Sequence, residues 1–239
     1  QPQPRPGIHN SGWVQSPGAI ALQDPRQYAR LERYVKAVVG AFARDERVLA
    51  WDVWNEPDNT NGGSYGASEP DNKVELVVRL LPQVFAWARA AGPTQPLTSG
   101  VWKGDYSSDD KLDSVQRIQL AESDVISFHS YDSPAEIEKR TQWLQQFGRP
   151  IICTEYMARA NGSTFQGILP IARRYNVGAI NWGLVVGKTQ THLPWDSWQQ
   201  PYVGRQPKVW FHEVFHADGR PYSQEEVELI RRLTREARR

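Results

Sequence analysis

The sequence predicts an α/β fold in which helices cover a parallel sheet. Short, nearly continuous apolar runs alternate along the chain with segments whose apolar residues recur at helical spacing. Hydrophobic residues make up 39% of the 239 residues and charged residues 23%, a balance typical of a globular protein with a buried core. Neither a linker nor a low-complexity tract interrupts the pattern, so we expect a single domain over residues 1–239.

Local signals set the boundaries of the expected elements. Asp24 before Pro25 predicts a helix start, and Gly92 before Pro93 predicts a helix end. A turn-rich loop over 58–72 follows the first strand. The terminal helix should begin at Ser223, with Glu226 completing a capping box. The predicted helices cover about 25–44, 71–91, 111–123, 133–148 and 163–176, and the predicted strands 47–54, 96–101, 124–131, 150–156 and 177–185.

Charge and cysteine content exclude several classes of function. The 28 basic and 27 acidic residues leave a net charge of +1, so nothing general favours nucleic acid or an anionic membrane as a partner. Cys153 is the only cysteine, which excludes an internal disulfide framework and a zinc site built from several thiolates. The sequence contains no apolar run of about 20 residues and no signal peptide, so it leaves the cellular compartment unknown.

Two of the predicted strands end in glutamate. The run WDVWNEP contains Glu56, and IICTEY contains Glu155. The carboxyl ends of parallel strands meet at one edge, so both side chains are expected at the same mouth. A carboxylic acid and a carboxylate facing one another are the groups that glycoside hydrolysis requires, because one protonates the leaving oxygen and the other attacks the anomeric carbon or activates water. No cofactor is needed for this chemistry.

These motifs resemble the retaining, cellulase-like (β/α)8 glycoside hydrolases, family 5-like and nearest to a bacterial cellulase or xylanase branch. The resemblance implies a TIM-barrel fold, with Glu56 as acid/base and Glu155 as nucleophile. The two carboxyl groups would lie about 5 to 5.5 Å apart, as retention requires. The implied substrate is a β-linked, plant-type β-1,4 polysaccharide or oligosaccharide. Secretion or a periplasmic location would suit such a family member.

The resemblance also implies residues that bind the sugar. Asn55 matches the residue that holds the 2-hydroxyl, His129 and Tyr131 match a sixth-strand pair beside the nucleophile, and Trp182 matches the eighth-strand tryptophan under the cleaved sugar. Two further tryptophans, Trp102 and Trp195, lie in loops and are candidates for stacking on sugar rings.

In the family's order, WDVWNEP is the fourth strand, yet only one helix is predicted before it. We therefore expect an incomplete barrel of about five strands, corresponding to strands 4 to 8, truncated at its N-terminus relative to the family. Open sheet edges invite pairing, so we expect either a homo-oligomer or a missing N-terminal segment to cover them.

Two alternatives remain open at this point. A partial barrel rich in aromatic residues could bind glycans without cleaving them. The stretch His212-Glu213-Val214-Phe215-His216 fits the zinc-peptidase pattern HExxH, but Tyr222 occupies the place of a third histidine, and Pro207 and Pro221 leave little room for the helix. We expect no metal there.

Overall fold

The computed structural model of the chain describes residues 3–60 and 66–236, so positions 61–65 of the predicted 58–72 loop lie outside the described residues. Helices and strands alternate in the described ranges. The helices are α1 (Ala19–Gln23), α2 (Tyr28–Ala41), α3 (Lys73–Ala90), α4 (Ser114–Glu122), α5 (Pro134–Gln145), α6 (Phe165–Arg174) and α7 (Gln224–Glu236). The strands are β1 (Trp51–Asp52), β2 (Leu97–Thr98), β3 (Ile126–His129), β4 (Ile151–Glu155) and β5 (Gly178–Ala179).

The strands pair in parallel, in two short sheets. β1 pairs with β2, with Trp51 opposite Leu97, and the second sheet has the order β3-β4-β5. In that sheet β4 and β5 are parallel, with Ile152 opposite Gly178. Helices follow strands in the predicted order, so the α/β class with parallel strand-helix repeats is confirmed.

Several strands are much shorter than predicted. β1 covers two residues of the predicted 47–54. Side chains explain this, because the Asp45 carboxylate accepts a hydrogen bond from the backbone N–H of Arg47 at 3.0 Å, and the Asp52 carboxylate accepts one from that of Trp54 at 3.2 Å. The first of these turns takes a backbone donor that a longer strand would present to β2, on the edge from which Trp51 and Val53 donate to Pro96 and Thr98, and the second turns the chain away just after β1.

The described chain folds into two compact units. The first unit comprises the chain up to Val14, His129–Gln142 and the chain from Ile152, and the second comprises Gln15–Phe128 and Trp143–Ile151.

The core of the second unit is built around α3. Its buried residues recur three and four positions apart, which is the spacing that places side chains on one face of a helix. Trp54 joins this core and is 8% exposed. The other members are Leu22, Val39, Leu76, Val77, Leu80, Leu81, Val84, Phe85, Ala88, Leu97 and Val115.

The first unit is held partly by a buried ion pair. Arg159 lies just after β4 and donates to both carboxylate oxygens of Glu226 on α7, at 2.9 and 2.6 Å. The Ser223 hydroxyl accepts from the backbone N–H of Glu226 at 3.3 Å, as expected for a helix start. The predicted capping box is nevertheless wrong in its second half, because the Glu226 carboxylate is directed to Arg159.

Among the described residues, no helix combines the length and apolarity needed to cross a bilayer.

Candidate active site

Glu155 is the last residue of β4, and the first unit fixes it from two directions. The Tyr131 hydroxyl donates to its Oε2 at 2.7 Å. The backbone N–H of Ser130 donates to the carbonyl oxygen of Glu155 at 3.0 Å, which holds the two strand ends in register. The Glu155 side chain is 12% exposed. A carboxylate is therefore held at a strand end by a hydroxyl that can donate to its charged form.

His129 is the last residue of β3, and its side chain lies close to the Glu155 carboxylate. Its Nδ1 is 3.6 Å from Glu155 Oε2, which is longer than a hydrogen bond. At this distance the carboxylate charge still interacts electrostatically with the imidazole. The histidine side chain is 3% exposed. The first unit thus brings together three of the predicted site residues, His129, Tyr131 and Glu155.

Aromatic rings hold the Tyr131 phenol in place. Its ring meets Trp195 edge-on at 5.5 Å and His212 at 5.2 Å between centroids. The His212 Nδ1 is 2.5 Å from the carbonyl oxygen of Met157, and burial lowers the pKa of this histidine to about 3. His212 is therefore neutral, donates to that carbonyl, and offers Tyr131 a fixed, uncharged surface. The sequence gives no local signal for this contact.

The first unit contains two of the tryptophans predicted to bind sugar, Trp182 and Trp195, and they differ in exposure. Trp195 is 44% exposed and lies against Tyr131 and Phe211, so it offers ring surface beside the Tyr131–Glu155 pair. Trp182 follows β5 and is partly buried, and its backbone N–H donates to the carbonyl oxygen of Tyr156 at 3.2 Å. Both tryptophans therefore keep part of their surface exposed to solvent.

In the second unit, Glu56 lies in a turn four residues beyond β1, rather than on the strand itself. Its φ is +41°, in the left-handed region that is uncommon for residues other than glycine. Asn59 closes the turn twice, because its backbone N–H donates to the Glu56 carbonyl at 2.9 Å and its Nδ2 donates to Glu56 Oε2 at 2.6 Å. The sequence analysis missed Asn59, although an asparagine three residues after the glutamate is a turn signal.

Asn55 and Trp102 belong to the same unit. Asn55 is exposed. The Trp102 indole N–H donates to Oδ1 of the buried Asp58 at 2.8 Å, and Lys103 pairs with Oδ2 of Asp58 at 2.7 Å. The Lys103 ammonium lies 5.0 Å from the centre of the Trp102 ring. Asp58 is thus a second missed residue, which fixes Trp102 to the loop that carries Glu56.

The HExxH interpretation is wrong. Residues 211–216 form no helix, so His212 and His216 do not project from one helical face. Phe215 makes isolated bridges with Val185 and Pro221, and the His216 ring packs on Trp210 at 4.3 Å. Glu213 is 1% exposed and its carboxylate accepts from the Thr191 hydroxyl, rather than facing a site where it could activate water.

Solved structures similar to this chain are glycoside hydrolases. A family 10 endo-β-1,4-xylanase from Gloeophyllum trabeum has a TM-score of 0.57 at 14% identity, over 96% of this chain and 74% of that one. An endo-β-1,4-mannanase from Thermotoga petrophila has a TM-score of 0.58 at 13% identity, over 94% of this chain and 52% of that one. An endo-1,4-β-mannanase from Rhizomucor miehei has a TM-score of 0.53 at 14% identity, over 69% and 55%.

At these identities the likeness establishes the fold. The chain has TIM-barrel-type strand-helix repeats in an incomplete barrel, and it spans about half the length of the two mannanases. A search of curated proteins found no significant sequence match. The family model for cellulase, glycosyl hydrolase family 5, matches residues 7–187, a range that contains Glu56, His129, Tyr131 and Glu155. A match over well over half of its length means that this chain belongs to glycosyl hydrolase family 5, a family of glycosidase-type enzymes.

Proposed function

We propose that this chain hydrolyses β-glycosidic bonds with retention of configuration, with Glu155 as nucleophile and Glu56 as acid/base. The observation that carries the proposal is the Tyr131–Glu155 hydrogen bond of 2.7 Å at the end of β4. A nucleophilic carboxylate must be charged and correctly turned, and a fixed hydroxyl donor supports both requirements.

The reaction would proceed in two displacements. Glu155 attacks the anomeric carbon and forms a glycosyl ester, while the glycosidic oxygen departs with the proton of Glu56. Glu56, now a carboxylate, then takes a proton from water, and the resulting hydroxide displaces Glu155 from the anomeric carbon. The second step restores both side chains, so the net reaction consumes one water and needs no cofactor.

We propose a β-1,4-linked plant-type polysaccharide or oligosaccharide as substrate. The half-exposed Trp195 ring beside Tyr131 supports this, since flat apolar rings are surfaces on which sugars lie. Trp182 and Trp102 would provide further ring contacts, and Asn55 would bind the 2-hydroxyl. The similar structures named above as endo-β-1,4-xylanase and endo-β-1,4-mannanase favour the same linkage. Polymers of this kind lie outside the cell, so we expect a secreted or periplasmic protein.

The experiment is proton NMR of products during cleavage of soluble β-1,4-glucan, xylan and mannan. The β-anomer should appear first, before mutarotation. Glu155→Gln should abolish turnover while retaining glycan binding. Glu138→Gln is the matched control, because the Tyr175 hydroxyl donates to that carboxylate at 2.8 Å away from any predicted site residue.

Three results would contradict the proposal. Initial release of the α-anomer would indicate inversion. Parental activity in Glu155→Gln would show that the nucleophile lies elsewhere. Glycan binding without turnover on all three polymers would favour the non-catalytic alternative.

A further inference from the structure

We propose that Asn59 is the positioning residue of Glu56, and that the buried Lys73–Glu69 pair holds Asn59 in place. The inference rests on the proposed function, since it concerns how the acid/base carries its proton. All four residues belong to the second unit.

Asn59 biases which oxygen of Glu56 carries the proton. Its amide nitrogen donates to Oε2 at 2.6 Å, and the carbonyl-type oxygen of a carboxylic acid is a better acceptor than its hydroxyl oxygen. When Glu56 is a carboxylic acid, this hydrogen bond therefore favours the proton on Oε1. The acid is thus presented with one preferred oxygen as donor, instead of sharing the proton equally between two.

The Lys73 ammonium holds the backbone of Asn59. Its Nζ donates to the Asn59 carbonyl oxygen and, at 2.8 Å, to Oε1 of Glu69. The side chains of Lys73 and Glu69 are only 2% and 9% exposed. Asn59 is therefore tied at its side chain to Glu56 and at its carbonyl to a buried cation.

Stability alone does not account for this ion pair. Removing two charges from water costs several kcal/mol per ion, and such pairs are often no more stable than apolar side chains of similar size. Glu69 Oε2 is buried and has no hydrogen-bond partner in the described part of the chain. Lys73 is also the first residue of α3, where the helix dipole disfavours a cation. Holding the loop of Glu56 is a role that explains why the charges are there.

The test compares two substrates of the same sugar. An oligosaccharide has a poor leaving group that needs the proton of Glu56. A 2,4-dinitrophenyl glycoside releases dinitrophenolate, a leaving group that does not need to be protonated. Glu56→Ala, the reference, should lower cleavage of the oligosaccharide by about 10²–10⁴-fold, while the first step with the aryl glycoside stays close to parental and azide accelerates its turnover.

Asn59→Ala should show the same selectivity, with at least a tenfold loss on the oligosaccharide and less than a threefold change in the first step with the aryl glycoside. Asn59→Asp has the same shape and places an acceptor against Oε2, so its selective loss should be at least as large. Asn72→Ala is the matched control, because Asn72 is exposed at the start of α3 and makes no side-chain cap hydrogen bond.

Variants of Lys73 separate the effect on the position of Asn59 from the effect on folding stability. Lys73→Met leaves Glu69 buried and unpaired, so this variant should be less stable. Lys73→Met with Glu69→Met removes both charges and should regain thermal stability, but should keep a several-fold selective loss on the oligosaccharide.

The outcomes separate the two proposals. Selective loss in Glu56→Ala without selective loss in Asn59→Ala or Asn59→Asp overturns the role of Asn59 alone. Equal losses on both substrates in the Asn59 variants also overturn it, since they indicate general damage. A folded parental protein that cleaves neither substrate, or a Glu56→Ala variant without selectivity, contradicts the proposed function and this inference together. If Asn59→Ala does not fold, Asn59→Asp decides.

Discussion

Tyr131 donates its hydroxyl proton to Glu155 Oε2 across 2.7 Å, and the residue before it donates its backbone N–H to the Glu155 carbonyl oxygen across 3.0 Å. The same two strand ends are thus linked once through the backbone and once through the side chains. Strand pairing sets the phenol in front of the carboxylate, so little conformational freedom is left in the pair.

Tyr131→Phe should lower kcat/KM by about 10- to 100-fold. A hydrogen bond to a charged group contributes about 1.5–3 kcal/mol, and each 1.4 kcal/mol is a factor of ten. The melting temperature should change little, because the ring contacts with Trp195 and His212 remain. Tyr175→Phe, which also removes a tyrosine–glutamate hydrogen bond, is the control and should keep parental activity. Equal kinetics for the two variants would mean that the Tyr131 hydroxyl has no part in the reaction.

Glu226→Ala should destabilise the fold by about 3–5 kcal/mol, because it leaves the buried Arg159 guanidinium without its carboxylate. Both side chains of this pair are 6% exposed. Glu225→Ala, at the exposed neighbouring position of α7, should lie within about 0.5 kcal/mol of the parent. Urea unfolding of the three proteins measures this, and similar midpoints for both variants would refute the importance of the pair.

Acid should destabilise the fold through two buried histidines. Burial lowers the pKa of His9 to about 4 and that of His212 to about 3, whereas both titrate near 6.5 when unfolded. Between pH 6.5 and about 4 the unfolded chain therefore binds more protons than the folded one, and stability falls as pH falls.

The contribution of one histidine can be isolated. Each group contributes at most about 1.4 kcal/mol per pH unit, so the stability advantage of the parent over His9→Asn should shrink at up to that slope from pH 6.5 to 4 and then level off. Urea unfolding at several pH values measures it. A difference between the two proteins that does not change with pH would show that His9 is not buried in its neutral form.

Metal analysis tests the rejection of the HExxH interpretation. We expect no stoichiometric zinc on His212 or His216, because the stretch is not helical and His212 donates to Met157. Elemental analysis of protein purified without added metal is the measurement. Zinc that is present in the parent and lost in His216→Ala would revive the site.

Local patterns predicted the order of helices and strands well, because apolar spacing is a property of neighbouring residues. The buried face of α3 and the position of Glu155 at the end of β4 both follow from such runs. The strand lengths were not predicted correctly. The side chains of Asp45 and Asp52 accept hydrogen bonds from backbone N–H groups that the apolar pattern placed in a strand.

The residues around the candidate site were only partly predictable. Motifs led to Glu56, Glu155, His129 and Tyr131, but the partners that hold them depend on the folded chain. His212 supports Tyr131 from 81 positions away in sequence, and its motif suggested a metal ligand instead. The turn at Glu56 depends on a positive φ at this residue. A positive φ is usually predicted from a glycine, and this position is a glutamate.

Trapping the glycosyl-enzyme intermediate tests the central claim most directly. A 2-deoxy-2-fluoro glycoside with a dinitrophenyl leaving group, made from the sugar that the protein cleaves best, should glycosylate the nucleophile with release of dinitrophenolate, and the glycosyl-enzyme should hydrolyse slowly. Peptide mass spectrometry should then find one added glycosyl group on Glu155, and none in Glu155→Gln. A label on a different residue, or turnover of the parental substrate with inverted products and no labelled protein, would contradict the assignment of Glu155 as the nucleophile of a retaining glycosidase.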